Sequence, residues 1–312
     1  MKRLLRLALA ADVVALMTIV LGSWTRINGA GLTCPDWPLC RGSLIPSLDD
    51  GTLWEWTHRL LAFSVAPLTV ALLLAAWGQR RRSPFIGPTI YCIGALFVAQ
   101  VLLGAETVRL GNSPASVVLH WATAMALIAA LSAMAVFAAA VPEETGEAHA
   151  APPAPQAGSL AALMLGITAA VAFVTMCIGA YVSSSGAGLA CLSIPQCAGN
   201  VVVYTSGQAV QMLHRGAAGL TLLFAAASLA AVWARPASAR VRSATIAGLA
   251  LVCVQILLGL LNVALRLPVD LREAHAVNAA LLFLSFFVAT VFAALDGAAR
   301  RPARLLEAGA PR

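Results

Sequence analysis

The sequence predicts an all-α polytopic membrane protein whose eight transmembrane helices form two four-helix bundles related by a pseudo-twofold axis. The composition is 60% hydrophobic and only 11% charged, well outside the range of a soluble domain. Eight apolar runs each reach about 20 residues, the length a helix needs to cross the hydrocarbon core. The second half of the chain repeats the first, loop for loop and histidine for histidine.

In order, the first run, 7–24, follows Lys2, Arg3 and Arg6 and so looks at first like a cleaved leader. Its end, "IVLGSWTRINGAGL", returns as "MCIGAYVSSSGAGL" after the fifth run, so it is expected to be a retained span. A loop over 25–53 then holds "GAGLTCPDWPLCRG". The second run, 54–77, opens on "WEWTHR"; the third, 85–107, carries "AQVLLGAETV"; the fourth, 116–141, begins at "VLHWATA". The stretch "VPEETGEAHAAPPAPQAG" reads as a flexible linker from its Pro, Ala, Gly and Glu content. The pattern then recurs: a fifth run at 159–182, a loop over 183–205 with "GAGLACLSIPQCAG", and a sixth at 206–233 with "LHRGAAG". The seventh, 244–266, carries "VQILLGLLNV", and the eighth, 272–295, begins in "REAHAVNA".

The alignment is nearly constant in offset. Cys34 and Cys40 map to Cys191 and Cys197 at 157, His58 to His214 at 156, and Gln100, Gly104 and His120 to Gln255, Gly259 and His275 at 155. Four helices per half give the copies the same orientation, hence an axis along the membrane normal. The expected organisation is an N-terminal half (1–141), a cytoplasmic linker (142–158) and a C-terminal half (159–312). Of the 20 basic residues, most lie at the termini and after runs two and six, including Arg3, Arg80, Arg82, Arg240 and Arg301. This places both termini in the cytoplasm of a bacterial cell membrane. The formal charge of +7 is explained by topology and an anionic leaflet; the bilayer is the partner it implies, and nucleic acid is not needed.

Of the five histidines, His149 falls in the linker. His58, His120, His214 and His275 each lie near the start of an even-numbered helix, all at the outer face. Ionisable residues inside a span are costly and mark functional sites by default. Facing pairs, 58 with 120 and 214 with 275, match the way bundles hold a cofactor between helices, and haem iron with two axial imidazoles is the best candidate. A zinc ion shared by all four histidines is the competing reading. Arg59 and Arg215, directly after the first histidine of each pair, either pair with haem propionates or snorkel to the interface.

Glu55 stands three residues before His58, on the same helix face, whereas the second half has Gln211 there. This asymmetry points to chemistry in the first half and a redox centre in the second, with Glu55 as base or as stabiliser of developing positive charge; the plainer reading is an acid at a helix mouth. Glu106 is expected to pair with Arg109 and has no catalytic role. Cys34 with Cys40 and Cys191 with Cys197 read as intraloop disulfides on the oxidising side, either as staples or as thiol-exchange relays. Cys92, Cys177 and Cys253 lie in spans and read as small apolar side chains.

Together "NGAGLTCPDWPLCRG", "WEWTHR", "QVLLG", "VLHWATA", "SSGAGLACLSIPQC", "LHRGAAG", "QILLG" and "REAHAVNA" resemble the cysteine-containing bacterial type of the haem A synthase family, over essentially the whole chain apart from the linker and tails. The resemblance implies oxidation of the C8 methyl of haem O to a formyl group, giving haem A for terminal oxidase. His58 and His120 would then flank haem O as substrate, His214 and His275 would ligate a permanent haem b, and Glu55 would be the catalytic acidic residue, stabilising an electron-poor methyl-derived centre or directing water to it. It also matches both loop disulfides; haem O synthase and, as electron acceptor, a quinone are the partner candidates that go with this reading. Thr33 departs from the glycine expected before Cys34, and Glu106 has no place on the pattern. Two rival readings are a quinol-linked dihaem electron-transfer protein of the cytochrome b type and a transporter.

Overall fold

In the computed structural model the described residues are 1–141, 159–197, 199, 203–234 and 236–298. They form eight α-helices: α1 (Lys2–Ile27), α2 (Thr52–Gln79), α3 (Ile86–Arg109), α4 (Pro114–Ala140), α5 (Ser159–Ser184), α6 (Ser206–Trp233), α7 (Ala239–Ala264) and α8 (Val269–Ala298). No strand occurs among the described residues. Each helix is long and apolar enough to cross a membrane, so the chain is a multi-pass membrane protein. The linker expected at 142–158, with His149, lies outside the described residues, as does Arg301.

The helices extend past the apolar runs where the flanking residues are good helix formers. α1 starts at Lys2 and runs through Arg3 and Arg6, and α7 starts at Ala239 and takes in Arg240 and Arg242. Lys and Arg have high helix propensity, and their long side chains let a span carry them at its ends. α4 begins on Pro114, whose missing N–H would be unpaired in the first turn anyway, and Ser113 caps it by accepting from Ser116 N at 3.4 Å.

In the first half, α1 packs against α2 and α4, and α3 against α4. Ala8, Ala11 and Ala15 on α1 share one core with Leu72 and Ala76 of α2, Ile86 and Ile93 of α3, and Leu131 and Met134 of α4. Small residues let helices approach closely where lipid offers no competing hydrophobic drive. A second core draws on α5 to α8 through Leu165, Ala225, Val232, Val241, Val252 and Phe286. Polar pairs within it include Thr168 with Ser228 at 2.8 Å, Asn278 Nδ2 with Gln255 Oε1 at 2.7 Å, and Arg240 with Asp296.

Packing distinguishes two compact units. One contains α1 to α4 together with the C-terminal ends of α5 and α7 and the N-terminal ends of α6 and α8; the other contains the remainder of α5 to α8. The first unit holds all four paired histidines and both cysteine loops.

Candidate functional site

The helical register sets His58, His120, His214 and His275 near the N-terminal ends of α2, α4, α6 and α8. Each ring rests on a glycine of a neighbouring helix. A Cβ on Gly22 would come within 2.6 Å of His58 Cε1, one on Gly179 within 2.8 Å of His214 Cε1, one on Gly104 within 3.2 Å of His120 Cε1, and one on Gly259 within 3.3 Å of His275 Cε1. Gly22 and Gly179 are separated by 157 positions and Gly104 and Gly259 by 155, the same offsets that relate the two halves. Removing the side chain opposite each imidazole lets the ring lie against backbone.

The rings suit a bound iron porphyrin. The His214 and His275 centroids are 6.3 Å apart, which is close to what two metal–nitrogen bonds of about 2 Å each plus the two ring halves would span. His58 Nδ1 lies 3.0 Å from Thr18 O. A carbonyl can only accept, so Nδ1 carries the proton and Nε2 keeps its lone pair for a metal. His120 Nε2 lies 3.4 Å from Gln100 Nε2, and its Nδ1 edge is buried against Gly104. Among the described residues no three His, Cys, Asp or Glu side chains assemble into a metal site, so the shared zinc centre is not formed. Pairs are what a metal with its own porphyrin nitrogens requires.

Both cysteine loops are closed, Cys34 to Cys40 and Cys191 to Cys197, and each is anchored by the residue three before the α2 or α6 histidine. Glu55 Oε2 accepts from Cys34 N at 2.9 Å and from the Thr33 hydroxyl at 3.0 Å. In the second half Gln211 Oε1 accepts from Cys191 N at 2.6 Å, and its amide donates to Gly188 O at 2.9 Å. Glu55 is only 4% exposed, which rules out the plain reading of an acid facing water at a helix mouth. It forms a buried ion pair with Arg59, Nη2 to Oε1 at 2.6 Å. Glu106 pairs with Arg109 at 2.7 Å on the exposed surface, as expected.

Arg59 and Arg215 differ from the sequence-based expectation. Arg59 donates to Asp36 O and Leu39 O at 2.6 Å each and to Cys34 O at 2.8 Å, besides Glu55. Arg215 donates to Cys191 O at 2.7 Å, Ser193 O at 2.7 Å, and Pro195 O and Gln196 O at 3.2 Å each. An arginine has five N–H donors, so the fork that sequence offers to a propionate is largely filled by the loop's own carbonyls. These arginines clamp the disulfide loops onto α2 and α6; neither snorkels as its main role.

The far end of each loop is closed by a side chain at the same repeat position. Asp36 accepts from Gly42 N at 2.8 Å and from Arg41 N, and Ser193 accepts from Gly199 N at 3.0 Å. The Gly42 bond in particular holds the Asp36 carboxyl below the usual carboxylate range. A depressed folded-state value contributes stability above the unfolded value, about 3.9, and loses it as pH falls through the folded one. The amides of Arg41 and Gly42 should therefore stay protected from hydrogen exchange, corrected for intrinsic rates, until pH drops below the ordinary aspartate range. Loss of protection near pH 5 would contradict this.

The chain matches the COX15-CtaA family, described as cytochrome oxidase assembly protein, over residues 5–287. It belongs to this family. A Heme A synthase of Bacillus licheniformis is 29% identical over 304 residues, covering 93% of this chain and 96% of the relative. Another from Shouchella clausii is 32% identical over 229 residues, 71% of this chain and 73% of the relative. A third, from Shewanella oneidensis, is 26% identical over 332 residues, 93% and 95% of the two chains.

Sequence reasoning missed three charged members of this family member's site region. Arg26 Nη1 donates to Ser183 Oγ at 3.1 Å, between residues 157 apart, the repeat offset itself. Arg272 reaches towards Ile27 O at 3.5 Å, and Glu273 is buried beside them. Their signal was present: charge inside spans is costly enough to need a reason.

Proposed function

We propose that the protein is a haem A synthase, an oxidoreductase that converts the C8 methyl of haem O to a formyl group by two successive hydroxylations; the resulting gem-diol loses water to give haem A. The observation that carries this reading is the unequal pair of sites. Both halves anchor the first loop cysteine in the same way, yet only the first does so with a carboxylate, Glu55 against Gln211. A protein that only relayed electrons between two like haems would give this difference no role.

In this reading His58 and His120 flank haem O as substrate, and His214 and His275 would hold a resident haem b, which would supply one-electron redox chemistry there. Each hydroxylation breaks one C–H bond of the methyl group and one O–H bond of water, forms the C–O bond, and releases two electrons and two protons, one from the carbon and one from the water. A carboxylate offers about four lone-pair sites. Arg59, Thr33 and Cys34 N occupy three on Glu55, and the fourth is available to orient water or to stabilise an electron-poor methyl-derived centre. The loop over Glu55 limits access of bulk water. The protein acts in the bacterial cell membrane with both termini cytoplasmic, receives haem O from its synthase, and delivers electrons to an outside acceptor, for which a membrane quinone is the candidate. The organisation proposed is that of the repeat, with 1–141 as substrate half and 159–312 as haem b half.

His214→Ala should abolish the b-type absorbance of the purified protein, while His58→Ala retains it; a full b-type spectrum in His214→Ala would refute the ligand assignment. The glycine cradle gives a finer test. Gly179→Ala places its Cβ 2.8 Å from His214 Cε1, whereas Gly259→Ala leaves 3.3 Å to His275 Cε1. Gly179→Ala should lower haem b affinity by about tenfold or more, and Gly259→Ala by much less, as read by haem titration.

A further inference from the structure

We infer that Arg26 and Arg272 form the binding site for a carboxylate of the porphyrin held between His214 and His275, and that this site makes the second-half group resident while the first-half group exchanges. The inference rests on the reading of His214 and His275 as haem ligands. Ser183, which takes the Arg26 hydrogen bond at 3.1 Å, stands four residues, or one turn, beyond Gly179, the residue that faces His214. Arg272 stands three residues before His275 on α8, again one turn towards the helix end. Both guanidiniums are thus set one turn outward from the two rings, and Arg272 Nη1 is 3.5 Å from Ile27 O, the residue after Arg26.

Two features distinguish this pair from Arg59 and Arg215. The first is spare donors. Among the described residues Arg26 makes one side-chain hydrogen bond and Arg272 one long one, whereas Arg59 and Arg215 make four each. The second is charge. Glu273 lies within electrostatic reach of Arg26, and Arg26 of Arg272. Glu273 is 8% exposed and stands beside the Ser23 hydroxyl. Two arginines and one glutamate leave one positive charge, and buried charge is stable when matched. One added carboxylate makes the cluster neutral and takes up the spare N–H groups in the bidentate manner guanidinium favours.

The repeat gives the first half only part of this site. Arg26 stands four residues beyond Gly22, which faces His58, so its backbone is one turn outward from that ring as well, but its guanidinium bonds Ser183 of the second half; the counterpart of Arg272 is Val117, which is no cation. A group at the His58–His120 pair therefore lacks the Arg272 contact, which suits a substrate that must leave as product.

The test titrates full-length protein, produced without haem and carrying His58→Ala so that one pair binds, with iron protoporphyrin IX and with its dimethyl ester. The Arg26/Arg272 parent should favour the free acid by about tenfold or more. Adding Arg26→Gln and Arg272→Gln should bring the acid to the affinity of the ester, with ester binding unchanged as proof of an intact pocket. Should the double variant bind neither ligand, each single substitution should still reduce the discrimination, and Arg272→Lys should keep most of it. Equal binding of acid and ester by the parent, or full discrimination in the arginine variants, overturns the inference. Unaltered binding of both ligands after adding His214→Ala instead overturns the ligand reading beneath it, and neither result depends on haem O oxidation.

Discussion

Glu55→Gln is expected to lower haem O oxidation by at least about a hundredfold while leaving the fold, the Cys34–Cys40 loop and the b-type spectrum in place. The protein contains its own control for the structural half of this statement. Gln211 holds Cys191 N at 2.6 Å with a neutral amide, and Arg215 holds its loop through carbonyls without an acid partner. A glutamine at 55 can therefore keep the loop, and what it removes is the negative charge. Glu55→Ala is a weaker experiment, because it also leaves Cys34 N without an acceptor. Product formation per haem, measured beside the absorbance spectrum, separates the two roles; undiminished oxidation in Glu55→Gln would take the carboxylate out of the chemistry.

Arg59→Ala should be the more damaging substitution for stability, by about 3–5 kcal/mol. It strands the carboxylate of Glu55, whose side chain is 5% exposed, and frees the carbonyls of Cys34, Asp36 and Leu39 at once. Arg215→Ala loses the same kind of loop contacts but strands no charge, because its neighbour is Gln211, and should cost about 1–3 kcal/mol. Thermal unfolding of both variants in the same detergent checks the ranking. Equal losses would mean that the Glu55–Arg59 pair adds nothing beyond the loop clamp.

The parts of the molecule that sequence made legible are those recorded by residue type at a fixed spacing. Eight apolar runs announced eight helices, and the cysteine loops with their flanking histidines exposed the repeat. Helix ends were misjudged at α1 and α7 because hydropathy stops at Arg3, Arg6 and Arg240, whereas the backbone hydrogen bonding continues through them. The arginine roles were illegible for a different reason. Arg59 and Arg215 bind backbone carbonyls, which every residue has, so nothing in the sequence marks the partners. Arg26 meets Ser183 across 157 positions, and only the fold brings them together. Thr33, a mere departure in sequence, proves to donate to Glu55; its repeat counterpart, Ala190, has no hydroxyl to give, just as Gln211 has no charge to receive one.

The most direct test of the account is to express the chain in a host that makes haem O and lacks haem A, extract the haems and weigh them. The account predicts haem A together with its hydroxylated precursor, dependent on Glu55, beside unmodified haem b. Intact, haem-loaded protein that yields only haem b and unaltered haem O would contradict it, and would leave a dihaem electron carrier in its place.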